Sequence, residues 1–493
     1  MNSTALWRFN TALETVTDRI YQGLVTSGDS IYLLEKIEEP SEDHVKVRSQ
    51  EDGEEWIMET TLLKPLLKGE DVHRYHPLEP KYYVIFPYHL KNENGETTAE
   101  FVDEKTLSDS YPKTYDYLKK HEEAIRAREG GKMDREGWYD YVYPKNLTEF
   151  EQQKIVTPEI SHGTNFTYDS EGLYHKTKVY GVKTNTNYIS EKYLLAIINT
   201  DVLWYFLQNT GYALRGGYFT FKTDYLHPFS VPLPPEADES KFEADAFKSK
   251  YEKYVTGATD IGVFDQTTLE QNADQALPIL TDEFMHHRSK RESLNLAVLD
   301  HFGSYSDGPT LADVGLTQPP EDSADSILQQ TTEQKPNLRV GEASVVRESD
   351  STVEIQLTAR YKPDDEDAYE TDQWGYTETE PLPALRITDL TETEGDLIEA
   401  FVPVAVDEAG GFAGFRETAT KTNSLVDRLR KLTLPAVDDA RDGLVSYMET
   451  VERADELEAK IERTDELIDE IVYELYGLTD EEIEIVEEAV GGE

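Results

Sequence analysis

Asp and Glu outnumber Lys and Arg by 99 to 48 in this sequence, leaving a net charge of −51 on 493 residues. Such self-repulsion opposes every compact state, so the chain folds only with its carboxylates at a solvated surface and their mutual field screened. With 38% of residues hydrophobic there is apolar surface to bury, which excludes a wholly disordered polyanion. The expectation is a halophile's protein, in which concentrated cytoplasmic salt does the screening. Acidity then speaks of habitat and leaves a nucleic-acid partner open.

A chain of this length exceeds one ordinary core and calls for two or three domains. No apolar run approaches the roughly 18 residues that cross a bilayer, and the opening MNSTALWRFNTALET has no basic-then-apolar signal pattern. We therefore expect no membrane partner and a cytoplasmic location. Cysteine is absent, which removes disulfides, thiolate zinc sites and cysteine nucleophiles. His286 and His287 are adjacent and cannot share a helix face, so no metal site is expected there.

The charge is unevenly placed. Residues 1–232 hold 26 basic and 37 acidic side chains, whereas residues 233–493 hold 22 and 62. Residues 105–232 balance at 16 of each, and 21 of the 30 tyrosines precede residue 233. A region that escapes the acidic drift and is rich in aromatics suits a surface that meets phosphates and bases. A Tyr-rich core with ordinary ion pairs would leave the same composition.

Alternation and turn residues predict strands in IYQGLVTSGDSIYLL (20–34), a hairpin over 44–58 about Glu51–Glu54, and a buried strand in KYYVIFPYHL (81–90) before the turn Asn92–Gly95. Helical spacing predicts helices over 114–129, 191–210 and 282–302. Pro and acidic residues in VPLPPEADES (231–240) mark a boundary. Beyond it lie an acidic connector (303–336), a hairpin over 337–361, a solvated loop (363–373) and strands near 385–389 and 397–405. Apolar residues at three-and-four spacing from Leu444 to Leu475 predict an amphipathic helix or helical hairpin.

Several chemistries are missing. An adenine methylase needs Asn, Asp or Ser before Pro-Pro and an aromatic residue, but Pro234-Pro235 and Pro319-Pro320 are each followed by Glu, and neither is preceded by Asn, Asp or Ser. GGFAGF (410–415) follows no convincing strand, so no turn for S-adenosylmethionine is expected, and no GxxxxGK[ST] phosphate loop occurs. The Glu-x-Lys triplets at Glu79, Glu333 and Glu458 are what chance supplies among 99 acidic residues, not a magnesium nuclease site. No complete active site is expected.

The ordered set IYQGLVTSGDSIYLL, LLKPLLKGEDVHRYHP, YPKTYDYLKKHEEAIRARE, WYDYVYPKN, KIVTPEIS, YLLAIINTDVLWYFL and GYFTFKTDYLHPFSVPLP resembles the TaqI-like C-terminal target-recognition domain of adenine-specific DNA methyltransferases and type IIG restriction-modification enzymes. It covers roughly residues 18–234, and IDEIVYELYGLTDEEIEIVE (468–487) resembles the closing helix of such enzymes. The resemblance implies a mixed sheet-and-helix recognition domain first (1–234); with the patterns read beyond it, the expected α+β fold continues as a helical and acidic connector (235–336), a small β-rich element (337–410) and a C-terminal helical region (411–493). It implies double-stranded DNA as partner, and a methyltransferase domain or subunit, encoded nearby, that binds S-adenosylmethionine and methylates a flipped adenine. This chain itself is expected to bind no cofactor. It departs from the family in lacking the methyltransferase half, which reads as a separately encoded specificity subunit or the remnant of a split gene.

Within that resemblance Gly69 allows a tight turn, Lys64, Lys68 and Arg74 are candidates for phosphates, and Tyr75 packs or stacks. The alternative is that Glu70 and Asp71 pair with Lys68 and Arg74 simply to fix the turn. Lys119, Lys120, Arg126 and Arg128 form a basic helix face, for DNA or for intrahelical Glu pairs. ALRGGYFTFK (213–222) is the foremost groove candidate: Arg215 can address guanine bidentately, Gly216 and Gly217 permit close approach, and Tyr218 and Lys222 support it. The alternative is an ordinary β-turn. Trp138, Tyr139 and Tyr141 read as core. A protein- or carbohydrate-binding module of a halophile is the competing function, predicting no DNA affinity.

Overall fold

The computed structural model describes residues 11–93, 95–234, 242–320, 326–365, 368–407 and 419–491. They form two compact units, residues 1–292 with 457–493, and residues 293–456. Helices and mainly antiparallel sheets, with one parallel pair in the six-stranded sheet, make the class α+β as expected.

In unit 1 the strands are β1 (Thr17–Gln22), β2 (Leu33–Ser41), β3 (His44–Ser49), β4 (Glu55–Glu59), β5 (Leu63–Leu67), β6 (Tyr82–Ile85), β7 (Tyr88–Glu93) and β8 (Glu96–Phe101). They continue with β9 (Lys154–Pro158), β10 (Ile160–Ser161), β11 (Thr167–Asp169), β12 (Tyr174–His175), β13 (Val179–Thr184) and β14 (Phe219–Thr220). One sheet has the order β12-β5-β6-β2-β3-β4, another β1-β13-β9-β11. Val45 and Val47 on β3 are buried between more open neighbours, the period-two pattern that predicted the hairpin over 44–58. The tip of the turn between β7 and β8, at residue 94, lies outside the described residues.

The six-stranded sheet carries much of the tyrosine surplus inward. Tyr32, Tyr117, Tyr139 and Tyr141 are buried, and each hydroxyl donates to a backbone carbonyl: those of Tyr139, Ile31, Val102 and Ile85. A buried phenol needs such a partner, and here each ring supplies both core area and a tie between elements. Trp138 is enclosed beside them.

The apolar segment 191–210 is two helices, Glu191–Ile198 and Asp201–Thr210, rather than one. The break is held by Asn199, whose side chain accepts from the Phe166 N–H and donates to the Phe166 carbonyl. Both helices belong to one core with β1, β9, β13 and the Ala273–Glu292 helix, completed by Ile461, Leu467, Ile468 and Ile471. The expected helix over 114–129 is three short helices, Pro112–Lys120, Glu122–Arg126 and Arg128–Gly131. The last contains Glu129 and Gly130 at positive φ, which no continuous helix tolerates. The expected helix over 282–302 is instead the C-terminal part of Ala273–Glu292, followed after a gap by Val298–Phe302.

Unit 2 contains β15 (Asp307–Thr310), β16 (Leu316–Gln318), β17 (Arg339–Ser349), β18 (Thr352–Tyr361), β19 (Thr377–Glu378) and β20 (Leu382–Thr388). The sheet order is β16-β20-β18-β17, with β19 added to β18. The expected strand at 397–405 is the helix Glu392–Asp407. Leu397, Ile398, Phe401, Val402 and Ala405 recur at three and four and are buried against the sheet. Thr391 and Glu394 form a reciprocal cap at its start, a signal present in the sequence as T-x-x-E. The tail is one long helix, Val437–Tyr476, followed by Asp480–Gly491. GGFAGF (410–415) lies outside the described residues.

Candidate nucleic-acid interface

β9 is buried at all five positions, and the chain leaves it at Glu159, a carboxylate whose side chain is 8% exposed. Burial would raise its pKa, but Lys178 and Lys222, each 3.0 Å away, hold it below the ordinary carboxylate range. The two lysines are thereby fixed at one point while their side chains stay 64% and 48% exposed. Glu159 also takes part in the backbone frame: its N–H donates to the Lys178 carbonyl and its carbonyl accepts from Phe221.

From there β10 pairs with β14, Ile160 opposite Thr220 and Ser161 opposite Phe219. Residues 213–219 close above this ladder as a narrow hairpin, with Ala213 bridged to Phe219 and the Leu214 N–H donating to the Tyr218 carbonyl at 2.7 Å. Its turn depends on two glycines in the left-handed region, Gly216 at φ 81° and Gly217 at φ 74°. A Cβ on Gly217 would meet the His162 ring at 3.2 Å. Arg215 stands exposed at the tip, with no hydrogen-bond or ion-pair partner among the described residues. Tyr212 and Tyr218 flank it, 59% and 46% exposed, and Ile160 beside them is 42% exposed. His162 lies edge-on to Tyr218 and backs onto Trp204. A shallow cleft of about 470 Å³ runs below, lined by Glu70, His73, Ile160, His162, Lys178 and Tyr218.

An unpaired guanidinium on a thin glycine tip, open tyrosine rings and two anchored ammoniums suit a duplex: phosphates for the lysines, a base edge for the arginine, sugar or base faces for the rings. Arg215, Gly216, Gly217, Tyr218 and Lys222 are thus brought together as the sequence placed them. Lys178, Tyr212, Ile160 and His162 were missed. Tyr212 adjoins the quoted motif and was legible, whereas Lys178, Ile160 and His162 reach the site only through the β9–β13 and β10–β14 pairings.

The other expected contacts lie elsewhere. Arg74 is bound bidentately to Asp465 and donates Nε to the Asn199 carbonyl, so its charge joins the N-terminal sheets to the C-terminal helix. Tyr75 is fully buried at φ 58° with its ring 4.2 Å from Phe284; it packs and offers no face for stacking. Lys64 pairs with Glu151, and Lys68 sits 3.2 Å over the Tyr82 ring. The Asp71 carboxylate accepts from the Lys68 backbone N–H, so it caps the turn rather than pairing with Arg74 as the alternative had it. Lys119 pairs with Glu122, Lys120 with Asp52 and Glu54, and Arg126 with Glu122. Arg128 is buried, its guanidinium donating to the carbonyls of Ile125, Thr26, Trp138 and Asp140. As a candidate contact it is corrected to an interior brace.

No group of three or more His, Asp or Glu side chains placed to hold a metal occurs among the described residues. No helix among them is long and apolar enough to cross a membrane.

Residues 64–231 match the TaqI-like C-terminal specificity domain, a span that contains the whole hairpin site. The chain is 29% identical over 126 residues to the type II methyltransferase M.XhoI of Xanthomonas vasicola, covering 25% of this chain and 22% of that protein. It is 26% identical over 231 residues to the type II methyltransferase M.BanIII of Aneurinibacillus aneurinilyticus, covering 46% of this chain and 36% of that protein. The match therefore spans only about a fifth to a third of the length of these two curated relatives. Among solved structures, a type I restriction-modification S subunit from M. genitalium aligns over 96% of this chain and 97% of that one at 8% identity, but with a TM-score of 0.34, too low to place the folds together.

Proposed function

We propose that this chain chooses the DNA sequence at which a restriction-modification methyltransferase acts, the methyl group passing from S-adenosylmethionine to the N6 of adenine. The observation that carries the reading is the Arg215 hairpin, an unpaired cation between open tyrosines on a glycine turn, lying inside the span that matches a specificity domain. In this reading duplex DNA is bound by this chain, and S-adenosylmethionine by a methyltransferase domain or subunit encoded nearby. The binding-module alternative is disfavoured by the same family match. The acidity supports a saline cytoplasm as the working medium; at about 1 M salt the Debye length is roughly 3 Å, so contact hydrogen bonds, stacking and shape carry recognition rather than long-range steering.

The test is a genome-wide map of N6-methyladenine in the native organism, in a strain deleted for the gene and in one carrying Arg215→Ala. One methylated motif should vanish on deletion and be relaxed or depleted with Arg215→Ala, since a bidentate base contact is worth about 1–3 kcal/mol of discrimination. If every motif persists in the deletion strain, the reading is wrong.

A further inference from the structure

Unit 2 is strongly acidic, with 13 Lys and Arg against 35 Asp and Glu between residues 293 and 456. Against that background three of its cations gather on one ring: Arg339 at 5.1 Å, Arg360 at 5.0 Å and Lys362 at 5.1 Å from the centre of Tyr376. Arg339 and Arg360 are also direct partners across β17 and β18. Like charges in that position repel unless an anion answers them. Asp372 answers Arg360. Arg339 and Lys362 have no carboxylate partner among the described residues, while Glu378 at the same edge accepts from the Thr358 hydroxyl.

Beside the cluster, Asp372 organises a turn. Its carboxylate accepts from the N–H groups of Trp374 and Tyr376, and its own N–H donates to the Tyr376 carbonyl. Gly375, at φ 75°, completes the turn. The result holds Trp374 outward at 62% exposure, whereas Trp56, Trp138 and Trp204 are partly or wholly buried. An exposed indole on a fixed turn, next to surplus cations that already lie over an aromatic ring, has the complementarity of a base and its phosphate.

We infer that this edge of unit 2 is a second nucleic-acid contact, taking an unpaired nucleotide whose base stacks on Trp374 and whose phosphate is met by Arg339 and Lys362. It rests on the proposed function and extends it, since an enzyme that extrudes a base leaves unstacked nucleotides for a partner surface to hold. The acidic surroundings favour this local contact over general DNA affinity.

The experiment titrates the full chain and its Trp374→Ala, Arg339→Gln/Lys362→Gln and Arg215→Ala variants with fluorescein-labelled single-stranded and duplex oligonucleotides, in low salt and in about 1 M KCl. Trp374→Ala should weaken single-strand binding by about five- to 150-fold in both salts, as loss of one stacked base does, and leave duplex binding intact. The double glutamine variant should lose affinity mainly in low salt. Arg215→Ala should weaken duplex binding instead. Single-strand binding unchanged by Trp374→Ala, or absent in the wild type while duplex binds, overturns the second contact and leaves the specificity reading standing. Binding of neither DNA by the wild type sinks both. If Trp374→Ala erases methylation in cells with DNA binding intact, the patch docks a protein and the nucleotide proposal fails. Trp374 is solvent-facing, so unchanged denaturant midpoints will confirm that each variant folds.

Discussion

His175 is fully enclosed against Tyr21 and Phe150, with Nδ1 donating to the Val179 carbonyl and Nε2 without a hydrogen-bond partner among the described residues. Burial, then the nearby Lys154 ammonium, lowers its pKa from 6.5 to about 3. Between those values the unfolded chain binds one more proton than the folded one, so stability falls as the pH drops through the window, by about 1.4 kcal/mol per unit. His175→Gln keeps a donor and removes the titration; its unfolding free energy should fall less steeply than the wild type's between about pH 6 and 4, by close to one proton. Equal slopes would refute the buried neutral imidazole. At this scale the sequence was half legible. Arg215, Gly216 and Gly217 need only local chemistry to be read as an exposed glycine turn, which is what they form. Arg74 does not: its partner Asp465 is 391 positions away, and no local pattern distinguishes an arginine facing phosphate from one facing a distant carboxylate. Arg128 was misplaced for the same reason, since its four carbonyl acceptors exist only once three segments meet.

The hairpin 213–219 is the element on which the proposed recognition turns, and its glycines give it a separate test. Gly217→Val puts a β-branched residue at φ 74° and drives a Cβ to within 3.2 Å of His162. The local cost is about 1–2 kcal/mol, borne by an exposed tip that the core does not need. Duplex affinity should therefore drop about as far as with Arg215→Ala while the denaturant midpoint barely moves; affinity equal to wild type would show that the tip's shape plays no part. Other elements show where alternation and spacing can be trusted. The hairpins at 44–58 and 337–361 form as read because a period-two pattern brackets a turn that no helix would accept. The helix Glu392–Asp407 was mistaken for a strand because Ile398, Val402, Val404 and Val406 carry β-branched side chains, although Thr391 and Glu394 spelled its cap. The break between Ile198 and Asp201 was invisible for a different reason: Asn199 ends the first helix by bonding Phe166, a contact 33 residues away.

Across the whole molecule the acid excess is the property that sequence alone declares most plainly, and it makes a prediction that no single site does. Surface ion pairs such as Lys46 with Glu55 or Arg48 with Glu35 and Glu55 are solvent-screened, contribute little and weaken as salt rises. Set against them is the repulsion of a net −51, which reaches about 10 Å in 0.1 M salt and only about 3 Å at 1 M. Because so many more carboxylates lack a cation than have one, the repulsive sum dominates, and screening it stabilises the fold. The thermal midpoint should rise as KCl goes from about 0.1 M to 2 M; each kcal/mol relieved is worth about 2–4 °C for domains of 150–250 residues, so a few kcal/mol makes a shift on the order of 10 °C. An uncharged osmolyte at matched water activity separates charge screening from general surface exclusion, and should recover only part of the rise. A midpoint that is flat or falls with KCl would mean that the carboxylates are locally compensated after all. The reading of a protein adapted to concentrated salt, and of recognition by contact rather than by steering, would then have to be abandoned together.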